Sequence, residues 1–530
     1  MLVFWVQPAV QKARSPIAEI TYPPFVVRYV KTSSIAANVL DIAHRARQQW
    51  FEVLQRLGLA DFPFPERIYL YVYASREELS LGLSSRIEEE LTLSAVTDLV
   101  VTERGTGEFA RLACSLALGR PGNPVFPRGL SLYFDAPDYP WLAEAGAWLS
   151  YVEPRLLWQK AESLLPYDPW ESLYFQVNAP WVGAAPTWET MRSLTQVFTW
   201  AGGSRGRMWE VLAAAQAQWI LHTFGPSGVR AFWKAGSWES ASSALGMGAE
   251  KLRVDFEAAA QGAFAQSPRA PYFAALCDLY RGRAQTALSQ LSGLEGEDVR
   301  KLRALAWLAL GELSRFCEES FECPPELVSL GKAPKLQQGR WCVVGSEVAE
   351  DALRTAVSSA HRLLALWGKD ESVLPERVVF YLVQSTPNLQ APWGVVWVHT
   401  AQELPDKAAR LVLEAFSPYG SSPFSTLVEG LVLWAAYPER DFRAEAQQLL
   451  AQERWVSLTQ PLFGVYPRPL AEAEAGAFVV FLLEQYGSSA IPKLWEALAK
   501  GASIFRASQE VLGAPWSQVE ADLLAWLRQP

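Results

Sequence analysis

Histidine is scarce in this 530-residue chain: there are four, His44, His222, His361 and His399. Imidazole is the commonest general base and the commonest transition-metal ligand, so few metal or triad sites can be built here. No two histidines lie within five residues, and both H-E-x-x-H and H-x-x-E-H are missing. Cysteine is also sparse, at five residues. That excludes a disulfide scaffold, and the lack of C-x-x-C excludes a zinc ribbon. Only Cys317 and Cys323, in CEESFEC, are close enough in sequence to pair, and only in an oxidising compartment. No apolar run reaches the roughly 18 residues of a membrane-spanning helix; Gly476–Leu483 and Ala304–Leu310 are too short. Lys plus Arg is 47 against 56 Asp plus Glu, with no basic run, which disfavours a general nucleic-acid binder. Gly202-Gly203-Ser204 is not followed by G-K-[ST], and there is no G-x-S-x-G, so neither a phosphate loop nor a serine elbow is present.

What is present is apolar material for several cores: 50% of residues are hydrophobic and 19% charged. At roughly 100–200 residues per domain, the length predicts about three to five domains. Tryptophan reaches 23. The opening residues, MLVFWVQPAV, leave two readings. One is the tail of a signal peptide with a small-residue site near Ala13, which places the protein outside the cytoplasm. The other is a first β-strand, with a cytoplasmic location open.

The chain is written twice. Ala43-His44-Arg45 with Trp50 recurs as Ala360-His361-Arg362 with Trp367, and Pro65-Glu66-Arg67 as Pro375-Glu376-Arg377. Ala110-Arg111-Leu112 matches Ala409-Arg410-Leu411, and Ser193-Leu194-Thr195-Gln196 matches Ser457-Leu458-Thr459-Gln460. Phe224-Gly225 with Trp233 matches Tyr486-Gly487 with Trp495, and Leu245-Gly246 matches Leu512-Gly513. Each match is short, but all keep the same order, which is the mark of a tandem duplication. Each copy predicts a strand (Phe25–Val30; Arg340–Val344), an amphipathic helix carrying Ala-His-Arg, and a strand after the Pro-Glu-Arg turn. Further strands are expected at Leu99–Thr102, Leu130–Phe134 and Gly394–His399, then helices, one of them closed by a glycine cap after Phe224 or Tyr486. Between the copies, 268–316 predicts two antiparallel helices resembling a tetratricopeptide hairpin, and 318–339 a linker. The expected domains are therefore 1–265, 266–339 and 340–530, with an α+β fold.

Each copy resembles the peptidase-MA-like gluzincin domain of bacterial extracytoplasmic proteins. In that family a helix carries H-E-x-x-H, and a later segment like P-x-W-L-x-E-G-x-A-x-Y supplies the third zinc ligand. The second segment is visible twice: Pro140-Trp141-Leu142-Ala143-Glu144-Ala145-Gly146-Ala147 with Tyr151, and Leu427-Val428-Glu429-Gly430-Leu431 with Tyr437. The resemblance places the two histidines near Ala113 and Ala117 and the catalytic glutamate near Cys114 in copy one. In copy two it places Val412, Leu413 and Phe416 there, with Glu414 reached by a shift of one residue. Zinc in such a site needs two imidazoles on one helix face plus a carboxylate, and its bound water then gives up a proton. Without the imidazoles one carboxylate does not hold the metal.

The resemblance thus implies two gluzincin-like domains joined by a helical hairpin, with the zinc site lost in both. No metal or cofactor is expected. Glu144 and Glu429 are relics, which would need a partner or a proton if buried. Trp141, Trp170, Trp181 and Trp188 form a candidate aromatic, sugar-stacking patch, although tryptophan is equally a core filler. The leading expectation is a non-catalytic scaffold of the cell envelope that binds a protein or a glycan. The alternatives are a hydrolase reusing cleft carboxylates such as Glu144 or Glu414, and a structural subunit of an envelope assembly.

Overall fold

The computed structural model describes residues 17–74, 96–100, 106–149 without 120 and 124, and 206–529 without 321–322, 332, 346–349, 388, 390, 417–423, 457, 459–465 and 500–501. The opening decapeptide, Ser193–Gln196, Tyr151, Trp170, Trp181 and Trp188 lie outside them. The described residues form two compact units: 17–139 with 216–236, and 140–149 with 206–215 and 237–529. The fold is mixed α and β, mostly helical, with two small sheets.

In unit one, β1 (Ile17–Tyr22) turns through Pro23-Pro24 into an antiparallel β2 (Phe25–Val30). Helix α1 (Val39–Arg56) crosses to β3 (Ile68–Tyr73), which lies parallel to β2 with Val27 opposite Leu70, and β4 (Val96–Val100) adds in parallel. β3 is buried along nearly its whole length, as a central parallel strand covered on both faces should be. α1 owes its place to an apolar stripe: Ile42, Ala43, Ala46, Trp50, Val53 and Leu54 are all buried. Trp50, Phe25 and Phe109 meet with ring centres 5.6–6.1 Å apart and form the aromatic centre of this core. Phe109 comes from α2 (Thr106–Leu118), which α3 (Val125–Asp135) covers.

Residues 130–134 are helical, not the expected strand. The alternation in LSLYF also fits helical spacing, because Phe126, Leu130, Tyr133 and Phe134 fall on one buried face.

Unit two opens with α4 (Trp141–Trp148) and includes the first ten residues of α5 (Gly206–Lys234). α5 is broken at Gly225, whose φ of +59° is open to glycine at little cost, and Pro226 follows. α6 (Trp238–Ala244) and α7 (Ala249–Gln266) follow, and α7 packs on α4.

The region expected to hold two helices holds four: α8 (Ala270–Tyr280), α9 (Ala284–Gln290), α10 (Glu297–Ala309) and α11 (Leu313–Glu319). Gly282 (φ +75°) and Gly311 (φ +77°) turn each expected helix back on itself. The expected linker is structured too. Pro325 opens α12 (Pro325–Leu330), where its missing N–H costs nothing, and β5 (Lys335–Gln338) follows. The structure pairs Cys317 with Cys323, at a Cα separation of 4.9 Å.

The second sheet repeats the connectivity of the first. β5 is antiparallel to β6 (Trp341–Val344), α13 (Glu350–Leu366) crosses to β7 (Val378–Leu382), and β8 (Val395–Val398) completes the parallel part. Even the bond after each Pro-Glu-Arg turn recurs: Ile68 N–H donates to Pro24 O, and Val378 N–H to Arg340 O, both at 3.0 Å. The helices α14 (Leu404–Ala415), α15 (Ser425–Ala436), α16 (Phe442–Ala451), α17 (Arg468–Tyr486), α18 (Ala490–Ala499), α19 (Ile504–Ala507) and α20 (Trp516–Leu527) finish the chain.

Two tryptophans matched in the repeat do the same work in each half. Trp233 Nε1–H donates to Gly119 O (2.7 Å), just past the end of α2, and Trp495 Nε1–H donates to Phe416 O (3.1 Å), just past the end of α14. Each indole satisfies a carbonyl that the helix end leaves without a partner. Among the described residues, no helix is long and apolar enough to cross a membrane.

Candidate functional site

The glutamates of the twice-written segment are the residues around which a site is best built. Glu144 sits on α4 and is fully buried. Its two oxygens each accept from one guanidinium: Arg207 Nε to Oε1 at 2.9 Å and Arg207 Nη2 to Oε2 at 2.8 Å. Glu429, on α15, is held in the same bidentate way by Arg410 of α14, with Nη1 to Oε1 at 2.6 Å and Nη2 to Oε2. Neither pair lies within one helix; each ties two helices together. Burial alone would lower the Arg410 pKa, but the Glu429 hydrogen bond and charge outweigh it and hold it above the ordinary value.

Around Glu429 the ionic arrangement continues. Burial pushes the Asp406 carboxyl up, although Tyr437 hydrogen-bonds to it. The Tyr437 hydroxyl is in turn pushed up to about 12 by burial and by Asp406. Glu472 accepts from Arg440 (2.9 Å) and Arg468 (2.7 Å), one on each oxygen. A carboxylate whose two oxygens each accept from an arginine already has its charge balanced, and a metal cation there would meet the guanidinium.

The expected metal-helix positions fall in packed protein. Ala113 and Cys114 are fully buried in unit one, Ala117 is half-buried, and burial raises the Cys114 thiol far above its usual range. Val412 and Leu413 belong to the core of unit two, and Glu414 is half-buried. Phe416 stacks on Trp367, with ring centres 4.6 Å apart and planes within 3°. Of the expected set, the structure thus couples Glu429 to α14 through Arg410, which is not one of the positions the resemblance selects. Trp141 is buried at 8% exposure, so it offers little face for stacking a sugar.

The four histidines are all engaged. His44 lies between Tyr22 Oη (2.9 Å) and Gln48 Nε2 (3.0 Å), and His222 meets Tyr133 Oη (3.0 Å). His361 meets Glu371 Oε1 (2.9 Å), and His399 Nδ1 meets Val383 O (3.1 Å). Among the described residues, no group of three or more His, Cys, Asp or Glu side chains is arranged to hold a metal ion.

Sequence reasoning missed the arginines. The signal was available: Ala-Arg-Leu occurs in both copies, and in both its arginine meets a carboxylate. Arg410 holds Glu429, while Arg111, only 7% exposed, holds Glu108 through Nε (3.0 Å) and Nη2 (2.6 Å).

The packing of the two glycine-bearing segments differs. A Cβ on Gly146 would lie 2.4 Å from Ala260 O of α7, and one on Gly430 would lie 2.2 Å from Ala475 O of α17. Both glycines permit backbone contact between helices, but against non-equivalent neighbours. No protein-family model matches the chain, and no curated protein and no solved structure matches it.

Proposed function

We propose that the chain is a metal-free, peptidase-like scaffold of the cell envelope, made by duplication of a degenerate peptidase-MA-like domain, that works by binding a protein or a glycan. The observation that carries this reading is the bidentate arginine on both third-ligand glutamates. A guanidinium balances the carboxylate charge permanently but does nothing to activate water, because it neither takes a water ligand nor gives up its proton near neutral pH. A hydrolase that reused Glu144 or Glu429 as a base would have to do so with both oxygens already accepting a charge-assisted bond from a guanidinium. The shared sheet connectivity and the matched Trp233 and Trp495 bonds support the duplication. The Cys317–Cys323 pair fits an oxidising compartment outside the cytoplasm.

The test is hydrolysis. Wild type and the folded Glu144→Gln/Glu429→Gln variant are assayed side by side on unstructured peptides and on cell-wall glycans. Both are expected to stay at the uncatalysed rate. Turnover by the wild type that the double variant loses would contradict the reading.

A further inference from the structure

Unit two holds a buried carboxyl, Glu474, that the reading above does not use. It lies on α17 with no exposed surface. Its Oε2 has no hydrogen-bond partner, and its Oε1 accepts from Val456 N–H at 2.9 Å. A buried carboxylate with one amide donor and no cation is poorly compensated, so burial favours its protonated form. The helices α15, α16, α18 and α20 pack against α17, and their titratable groups are engaged elsewhere or exposed. Glu429 of α15 takes Arg410, and on α16 Glu445 takes Arg440 while Arg443 donates to the Trp526 and Gln529 carbonyls. On α20, Glu520 accepts from Leu458 N–H (3.0 Å) and Asp522 from Gln518, and on α18 Lys493 and Glu496 are exposed. On α17 itself, Glu472 takes Arg440 and Arg468, and Glu484 takes the Trp526 indole. Among the described residues none of these charges acts on Glu474: burial pushes it up to about 8, and the Val456 bond alone opposes that.

The same bond fastens the chain where it leaves α16. A turn through Glu453, with φ +54°, leads to the exposed Arg454. Trp455 and Val456 then lie half-buried against the core of unit two, outside any helix or strand. The helices around Glu474 cannot lift away without losing their own backbone ladders and packed faces. This short run has neither, so it is the cover that gives way at least cost.

We propose that Trp455 and Val456 form a proton-controlled clasp, which stays closed on α17 while Glu474 keeps its proton and opens to admit water when Glu474 loses it. In the open form the carboxyl is hydrated and titrates near the ordinary 4.5, and in the closed form near 8. The closed form therefore binds the proton more tightly. The open form gains up to about ten-fold per pH unit between those two values, and nothing above the upper one. This gives a chain with four histidines a device that responds through neutral pH, a task histidine usually performs. The clasp rests on Glu474 and not on descent from a peptidase, so its failure and the failure of the scaffold reading are separate results.

The test is limited trypsin digestion of the full chain at pH 6 and pH 8, read by mass spectrometry as cleavage after Arg454. An unstructured peptide digested alongside corrects for the protease itself. Cleavage follows the open population when opening and closing are fast. The wild-type rate should rise about ten-fold or more between the two pH values. Glu474→Gln keeps an acceptor for Val456 and has no proton to lose, so its rate should change less than about two-fold. Glu510→Gln, in an exposed pair with Arg506, should behave as wild type. If Glu474→Gln does not fold, Glu474→Met replaces it and should also be flat with pH. Urea separates the clasp from unfolding of the whole unit. Local opening exposes little surface, so about 1 M urea should change the wild-type rate less than about two-fold, whereas whole-unit unfolding would speed it about ten-fold or more. A wild-type rate flat with pH, an equal rise in the Glu474 variant, or the steep urea response would each overturn the proposal.

Discussion

Arg207→Ala is expected to destabilise unit two by about 3 kcal/mol at neutral pH, because it strands a buried charge. Glu144 has no exposed surface, whereas the Arg207 side chain is about one-third exposed. An exposed pair contributes about 0–1 kcal/mol, but removing one partner of a buried pair costs about 3–5 kcal/mol. The exposure of Arg207 places the effect at the lower end. In the variant the Glu144 carboxylate keeps its burial and loses both bonds from the guanidinium. Replacing both Glu144 and Arg207 by methionine should recover most of the loss, since no charge is then buried. Chemical denaturation at neutral pH checks this. A loss under about 0.5 kcal/mol would mean that the pair does not hold the helices.

Glu474→Gln is expected to do the opposite and stabilise. Glu474 lies on α17 with no exposed surface, and burial pushes its carboxyl up to about 8 from the ordinary 4.5. Its Oε1 accepts from Val456 N–H at 2.9 Å, which offsets only part of that cost. The group is raised, so the native state binds the proton more tightly than the unfolded chain does. Its contribution is fully favourable below about pH 4.5, and stability is lost as pH rises from there to about 8. Each pH unit in that window removes up to roughly 1.4 kcal/mol. Glutamine keeps the acceptor for Val456 and never ionises. The variant should match wild type near pH 4 and exceed it by roughly 2–4 kcal/mol at pH 8. Equal stability at both pH values would show that the carboxyl is not held protonated.

The strands and the first helix of each copy were legible because their signals are local. The apolar stripe on α1, the Pro-Glu-Arg turn and the buried runs of β3 and β7 all lie within a few residues. The edge strands β1 and β5 were not foreseen. Ile17–Tyr22 is only half-buried and Lys335–Gln338 is polar, so neither has a strong apolar signal, and both are defined by pairing with the next strand. The split of the bridge into four helices turned on Gly282 and Gly311, whose positive φ cannot be told from a tolerated helical glycine by sequence alone. At the site, the segment carrying Glu144 and Glu429 was legible and its partners were not. Arg207 is 63 residues from Glu144 and Arg410 is 19 from Glu429, so only the fold brings them together.

The most direct test of the central claim is the metal content of the purified, unchelated protein by elemental mass spectrometry. If arginine closes both Glu144 and Glu429 to a metal, the preparation should contain less than about a tenth of an equivalent of zinc or any other transition metal. One or two tightly held equivalents, surviving gel filtration and lost only to a strong chelator, would contradict the account.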